Sequence, residues 1–213
     1  MTLGILLWVA TWSTAYWQDW GGLAGLWSAI PERVLQHGEL WRILTAAFVH
    51  SDLSHLLSNA LGLGVLSFLT FGYYGFRVTP LLTLGLAAAA NLIVMFTYSP
   101  QVRLVGASGW VYTLAGFWLV QFICLQRQYT LPGRWMRAVA VALATMGPST
   151  YEPGVSYRTH VVGFFLGAVV SWFYFRIHRE RLRSAEEWVL TSLERPLGWE
   201  EQADASSNRS RPS

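Results

Sequence analysis

Residues 106–125 read GASGWVYTLAGFWLVQFICL. No residue from Ala107 to Leu125 carries a charge, and about 20 mainly apolar residues are what a helix needs to cross a bilayer. The run therefore predicts a membrane span. Its first residues are of another kind. Ser108, bracketed by Gly106 and Gly109, stands where a helix begins, and backbone N–H groups at a helix start can receive a developing negative charge. Small residues also let membrane helices pack closely, so these few residues alone fit chemistry or packing.

The rest of the chain has the same character. Of 213 residues, 53% are hydrophobic and 13% charged, against about 25% charged in a typical soluble domain. Mean hydropathy is +0.34. Six apolar runs predict spans: Leu3 to Trp17, Leu53 to Phe71, Val78 to Tyr98, Ala107 to Leu125, Trp135 to Met146 and beyond, and Val161 to Ile177. Thr11, Ser13 and Thr14 interrupt the first. Met146-Gly147-Pro148 is expected to close the fifth early, because proline removes a donor and breaks a helix. The first run has no positive n-region and no small-residue cleavage site near Tyr16, so it reads as a helix rather than a signal peptide. Trp17, Trp20 and Trp27 suit an aromatic belt where it emerges.

Arginine sets the orientation, since basic loops stay cytoplasmic. Arg77, Arg127, Arg134, Arg137, Arg176, Arg179, Arg181 and Arg183 fall on one side, and Arg33, Arg42, Arg103 and Arg158 on the other. An even number of spans then leaves both termini cytoplasmic. This distribution accounts for the net charge of +3 without a nucleic-acid partner, and no basic stripe is evident. Cys124 is the single cysteine, which excludes an internal disulfide and a cysteine-rich metal site.

Two segments do not span. Gln18 to Ala47, rich in Trp, Leu and Ala, is expected to lie partly in the membrane interface. Ala185 to Leu193 suits a short juxtamembrane helix, and the polar stretch from Glu200 to Ser213 reads as disordered. The expected division is a transmembrane domain over 1–178 and a cytoplasmic segment over 179–213. The fold class is all-α: a six-helix membrane bundle with an interfacial first outer loop.

Polar groups inside spans are costly unless paired. Ser51 or Asp52 can cap the second span, and His55 and Asn59 follow on one face. Tyr112 lies one turn below Ser108. On the sixth span, His160 precedes Gly163 and Gly167, which permit close approach of another helix. In the derived topology Ser51 to Asn59, Ser108 and His160 share one depth near the outer surface. Asn91 reads as structural.

Each of these residues also has a bland reading as interhelical hydrogen-bonding or packing groups. A metal site would need three or four converging ligands. His50, placed on a helix with His55, would point about 140° away from it, and no carboxylate lies deep in the spans, so no metal and no cofactor is expected. A transporter would tend to show repeated halves and broken helices.

The chemical reading is nucleophilic catalysis. A serine hydroxyl is inert at neutral pH until a base takes its proton, and neutral His160 is such a base. Asp19, Glu32, Glu39, Asp52 and Glu152 lie in loops or at span edges, so no acid is placed to orient the imidazole. A Ser108–His160 dyad results, with Tyr112 as a platform for the ring. His55, Asn59 and the Ser108 N–H, in a wall that includes Gly106, can hydrogen-bond an oxyanion. Glycine follows Ser108 directly, so this is not the Gly-x-Ser-x-Gly elbow of soluble hydrolases.

From Glu39 to Val170 these residues resemble the rhomboid intramembrane serine proteases. The match includes Trp41-Arg42 and Thr45, His50 with His55-Leu56-Leu57-Ser58-Asn59, Gly106-Ala107-Ser108-Gly109 with Tyr112, and His160-Val161-Val162-Gly163 with Gly167. The resemblance implies cleavage of single-pass membrane proteins near the outer surface without a cofactor. Ser108 would be the nucleophile, His160 the base, His55 and Asn59 oxyanion donors, and Tyr112 a support for the base. It also implies lateral substrate access between the second and fifth spans. The glutamate that many members carry late in the second span is missing: Gly64 to Gly72 reads GVLSFLTFG. A proteolytically inactive relative that binds or escorts transmembrane helices is the competing expectation. A compact six-span core fits a bacterial inner membrane.

Overall fold

The computed structural model describes the backbone of residues 1–150 and 156–193, and the side chains of 1–147 and 156–184. The helices are α1 (Thr2–Trp17), α2 (Leu23–Leu26), α3 (Pro31–Leu35), α4 (Arg42–Thr45), α5 (Leu53–Phe76), α6 (Thr83–Met95), α7 (Ser108–Leu125), α8 (Leu131–Thr150) and α9 (Tyr157–Leu193). One antiparallel bridge, Ala29 to Leu104, is the only β pairing among the described residues. The chain forms two compact units, Met1–Tyr174 and Phe175–Ser213. Within the second, the Arg183 guanidinium lies 5.9 Å from the Phe175 ring centre.

Three helical stretches are long and apolar enough to cross a membrane among the described residues: Leu53–Met95, Ser108–Leu125 and Tyr157–Ser184. The first is 43 residues, about twice what one crossing needs. Gly75, at φ 65° and ψ −165°, breaks it. Beyond that break, residues 77–82 wind as a wide π-type turn around Pro80, which cannot donate to the helix ladder. α1, with 16 residues, falls short in length, and α8, with 20 residues, is long enough but not apolar enough among the described residues. α8 corrects one expectation. It continues through Pro148 to Thr150 instead of closing at Met146. Likewise α9 runs unbroken to Leu193, so the expected juxtamembrane helix is its continuation. The expected disordered stretch, Glu200 to Ser213, lies outside the described residues.

α7 is the axis of the first unit. Trp110, Val111, Leu114 and Phe117 are fully buried, and α5, α6 and α8 pack around them. Trp110 meets the polar need of its indole by donating to Thr83 Oγ1 at 2.8 Å, as buried Trp N–H groups do. Large apolar side chains on the outside, among them Phe68, Phe96, Leu143 and Phe165, stay exposed. That surface would be an aggregation liability in water and is suited to lipid.

α9 packs on α7 with almost nothing between the backbones. A Cβ on Gly163 would lie 2.9 Å from the Gly109 carbonyl oxygen and 3.0 Å from Thr113 Oγ1. One on Gly167 would strike the Thr113 carbonyl, and one on Gly116 the Phe164 carbonyl. Here glycine is a steric requirement. The N-terminal end of α9 is also fastened: Ser156 Oγ accepts the Thr159 N–H at 3.2 Å, capping the helix, and bonds the Tyr98 hydroxyl at 2.8 Å.

A directional hydrogen-bond chain joins α1 to the turn before α7. The Ala107 N–H donates to His50 Nε2 at 3.1 Å. A backbone amide can only donate, so neutral His50 carries its proton on Nδ1, facing Ser13 Oγ at 3.0 Å. Ser13 then donates to the Phe48 carbonyl. His50 is fully buried, and burial, aided by the neighbouring His55 imidazole, pushes its pKa from 6.5 down to about 3.

Gly167→Leu is expected to cost about 3 kcal/mol or more, read as thermal unfolding in detergent. Gly72→Ala, with nothing within 4 Å of the new methyl, should be near neutral. Equal melting of both variants would contradict the α7–α9 packing. For His50 the unfolded chain takes up a proton below about pH 6.5 that the folded chain refuses until about pH 3. Stability therefore falls with falling pH in that window, by up to about 1.4 kcal/mol per unit. His50→Gln should be less stable at neutral pH but flatter with pH; parallel pH curves would contradict a neutral His50.

Candidate active site

Ser108 is the first residue of α7, where N–H groups have no partner within the helix. Gly106 sets the approach. Its φ of 115° is a left-handed conformation that favours glycine. A Cβ there would lie 2.6 Å from His55 Cε1 and 2.8 Å from His55 Nε2. Conformation and space both demand a residue without a side chain, and the outcome is that the His55 ring lies directly against the turn leading to Ser108.

His55 and Asn59 are buried on one face of α5. Asp52 caps that helix, with Oδ1 accepting the His55 N–H at 2.9 Å. Its carboxyl is held below the usual carboxylate range by that N–H first and by the Ser51 hydroxyl next. His55 Nδ1 lies 3.1 Å from Ser51 Oγ, which turns the Nε2 side toward Gly106. Asn59 Nδ2 donates to the His55 carbonyl at 2.9 Å. Asn59 Oδ1 is buried with no hydrogen-bond partner among the described residues.

A cavity of about 270 Å³ opens at this level, with Ser108, Gly106, Gly109, His55, Asn91 and Thr159 in its wall and Arg103 among the flanking residues. Ser108, Gly106 and His55 thus share one space. Asn59, Tyr112 and His160 are outside its lining. Asn91, read from sequence as structural, does both jobs: its Nδ2 donates to the Ile43 carbonyl at 3.1 Å and it faces the cavity. Its signal was an amide alone in an apolar span, where a polar group calls for a partner.

His160 lies on the first turn of α9, buried, its ring stacked on Tyr112 with centroids 4.0 Å apart and planes 10° off parallel. Neither of its ring nitrogens has a hydrogen-bond partner among the described residues. His160 is therefore held against Tyr112, one turn along α7 from Ser108, and no hydrogen bond joins His160 to Ser108 among the described residues. Such catalytic contacts are often long in unliganded enzymes and tighten with substrate. Among the described residues no three His, Cys, Asp or Glu groups converge as a metal site would require.

Sequence reasoning missed three features of this site. His50, set aside because a helical His50 would point away from His55, precedes the helix and supports the Ser108 turn instead. Ser51, noted only as a cap, faces the His55 ring. Ser156 anchors the helix that carries His160.

Comparison with known proteins places these residues in a family. The family model of the Rhomboid domain matches residues 37–177. The chain is 28% identical over 162 residues to Rhomboid-type serine protease 2 of Eremothecium gossypii, covering 73% of this chain and 60% of that protein. It is 26% identical to Rhomboid-related protein 2 of Mus musculus, covering 71% and 54%, and 25% identical to RHOMBOID-like protein 5 of Arabidopsis thaliana, covering 67% and 48%. The chain thus spans between about half and three-fifths of the length of these relatives. With the Rhomboid domain matched over well more than half of its length, this multi-pass membrane chain belongs to the rhomboid family.

Proposed function

We propose that the chain is an intramembrane serine endopeptidase that cleaves transmembrane segments of membrane proteins near the outer face of the bilayer. The observation that carries the reading is the position of Ser108 at a helix start, facing one cavity with His55 and adjoining the His160–Tyr112 stack. The protease domain would occupy 1–178, crossing six times as α1, α5, α6, α7, α8 and α9. Both termini would be cytoplasmic, as the arginine distribution requires. The relatives named above are fungal, animal and plant proteins, so a bacterial inner membrane rests on the compact core alone.

In this mechanism Ser108 Oγ attacks the scissile carbonyl carbon while His160 accepts the hydroxyl proton. The carbonyl electron pair moves onto oxygen, where the Ser108 N–H, His55 and Asn59 hold the charge. Collapse breaks the peptide C–N bond, and His160 returns the proton to the leaving amine. Water then releases the acyl group by the same route. Tyr112 confines the imidazole to one plane. Because no described residue hydrogen-bonds the His160 nitrogens, substrate need only draw the ring and Ser108 together.

The lack of a hydrogen bond to the His160 nitrogens among the described residues also favours a second reading, a proteolytically inactive rhomboid that binds or escorts membrane helices. The two diverge in a cleavage assay on a model transmembrane substrate. Wild type should cleave, while Ser108→Ala and His160→Ala fall to background. Cleavage by the alanine variants at the wild-type rate would overturn the dyad, and none by wild type would favour the inactive reading. Asn59→Ala should fold normally and lose about 10- to 1000-fold in rate; unaltered activity would remove Asn59 from the site. Lateral access requires α5 and α8 to part, although they pack so closely that a Cβ on Gly62 would lie 2.8 Å from the Thr145 carbonyl oxygen. A crosslink joining the outer halves of α5 and α8 should suppress cleavage of membrane substrates, and full activity would contradict this route.

A further inference from the structure

At the start of α5, Ser51 and Asp52 form a polar chain with His55, and the dyad mechanism gives Ser51 and Asp52 no part. Ser51 Oγ donates to Asp52 Oδ2 at 2.8 Å. The same oxygen lies 3.1 Å from His55 Nδ1, and Asp52 Oδ1 is held by the His55 backbone N–H. The far side of the His55 ring faces Gly106, whose Cβ position is 2.8 Å from Nε2 and 3.6 Å from Nδ1.

A hydroxyl has one proton, and here it points at a carboxylate, the strongest acceptor within reach. Ser51 Oγ can then meet His55 Nδ1 only as an acceptor, so Nδ1 carries a hydrogen. In a neutral imidazole with its proton on Nδ1, Nε2 holds a lone pair and cannot donate. Only the imidazolium offers an N–H on the Nε2 side. An oxyanion beside Ser108 needs a donor on that side.

We infer that Asp52 and Ser51 are positioning residues that fix a proton on His55 Nδ1 and supply the counter-charge for a His55 imidazolium, which serves the oxyanion as a charged donor through Nε2. The hydrogen on Nδ1 follows from the hydrogen-bond chain alone, whereas the second hydrogen, on Nε2, and its catalytic consequence rest on the protease reading. No net proton moves along the chain during the reaction: the Ser108 proton goes to His160, and His55 keeps both of its own. Among the described residues, the charged and titratable groups around His55 are Asp52 at the cap of its own helix, His50 in the preceding loop at 5.1 Å between ring centres, Arg103 beside the cavity and His160 on α9. Asp52 is the one carboxylate among these described groups. Asp52 and Ser51 are exposed, so solvent and salt screen the counter-charge, and its loss should cost less than loss of the donor itself.

The substitutions separate this role from helix capping. Asparagine caps as well as aspartate, so Asp52→Asn keeps the cap and removes the charge. Ser51→Ala removes the hydroxyl, and Ser51→Thr restores it. The full chain, labelled with 15N at histidine and held in lipid nanodiscs, is read by long-range proton–nitrogen NMR at a pH where wild type is active. The expected spectrum shows a hydrogen on both His55 nitrogens in wild type and Ser51→Thr, with the Nε2 hydrogen depleted in Ser51→Ala and Asp52→Asn. In parallel, kcat should fall about 10-fold in Ser51→Ala and Asp52→Asn, with KM within about 2-fold, and return in Ser51→Thr. A wild-type His55 that is neutral, with its single hydrogen on either nitrogen, overturns the inference whatever the cleavage data. So does an unchanged kcat in Ser51→Ala. A wild-type chain that shows the doubly protonated ring but cleaves nothing contradicts the protease reading and upholds the protonation state that Ser51 and Asp52 set.

Discussion

Where α9 crosses α7, no side chain fits between the two backbones. Glycine at 109 and 116 on one helix and at 163 and 167 on the other lets carbonyl oxygens approach to contact distance, and this crossing places His160 over Tyr112 and beside Ser108. Lipid offers no hydrophobic drive for helices to associate, so close packing and polar contacts must do it. Further along the same pair, Gln121 on α7 donates to the Ser171 carbonyl and hydroxyl on α9, at 2.8 and 3.0 Å. A wider separation would cost both the packing and these buried bonds. It would also carry the imidazole off its aromatic support.

The second constraint comes from the other side of Ser108. The turn before α7 is fixed from outside the helix: the Gly106 N–H donates to the Ala46 carbonyl at 2.9 Å and the Ala107 N–H to His50. The first outer loop is held in turn by Arg42, buried, which reaches the carbonyls of Gly25 and Ser28 and pairs with Glu39. Buried charge is tolerated there because each donor has an acceptor. The candidate nucleophile is therefore supported by α1, the loop and α9, while its own cavity stays open and polar. A rigid frame around an open cavity fits the proposed hydrolysis, since water would have to reach the acyl group.

Much of this was legible from residues alone, for a physical reason. Apolar runs and glycine spacing act through local periodicity, so the α7 span, the α5 cap at Asp52, the pairing of His55 with Asn59 on one face and the close approach at Gly163 and Gly167 could all be read directly. What escaped depends on contacts distant in sequence. His50 was judged by its angle from His55 on a helix that in fact begins three residues later, and its partners are 37 and 57 residues away. Asn91 finds the Ile43 carbonyl 48 residues away. Pro148 was read as a stop, yet α8 carries it inside its last turn. Sequence pattern locates groups on a helix; which lone pair meets which proton is decided by the crossing of helices.

The central claim is that Ser108 is activated by His160. The most direct measurement is to treat the purified chain with a fluorophosphonate and map the adduct by mass spectrometry. A single phosphonyl group on the peptide containing Ser108, absent when His160 is replaced by alanine, is the predicted result. An adduct on another residue, or one on Ser108 that forms equally fast without His160, would contradict the account.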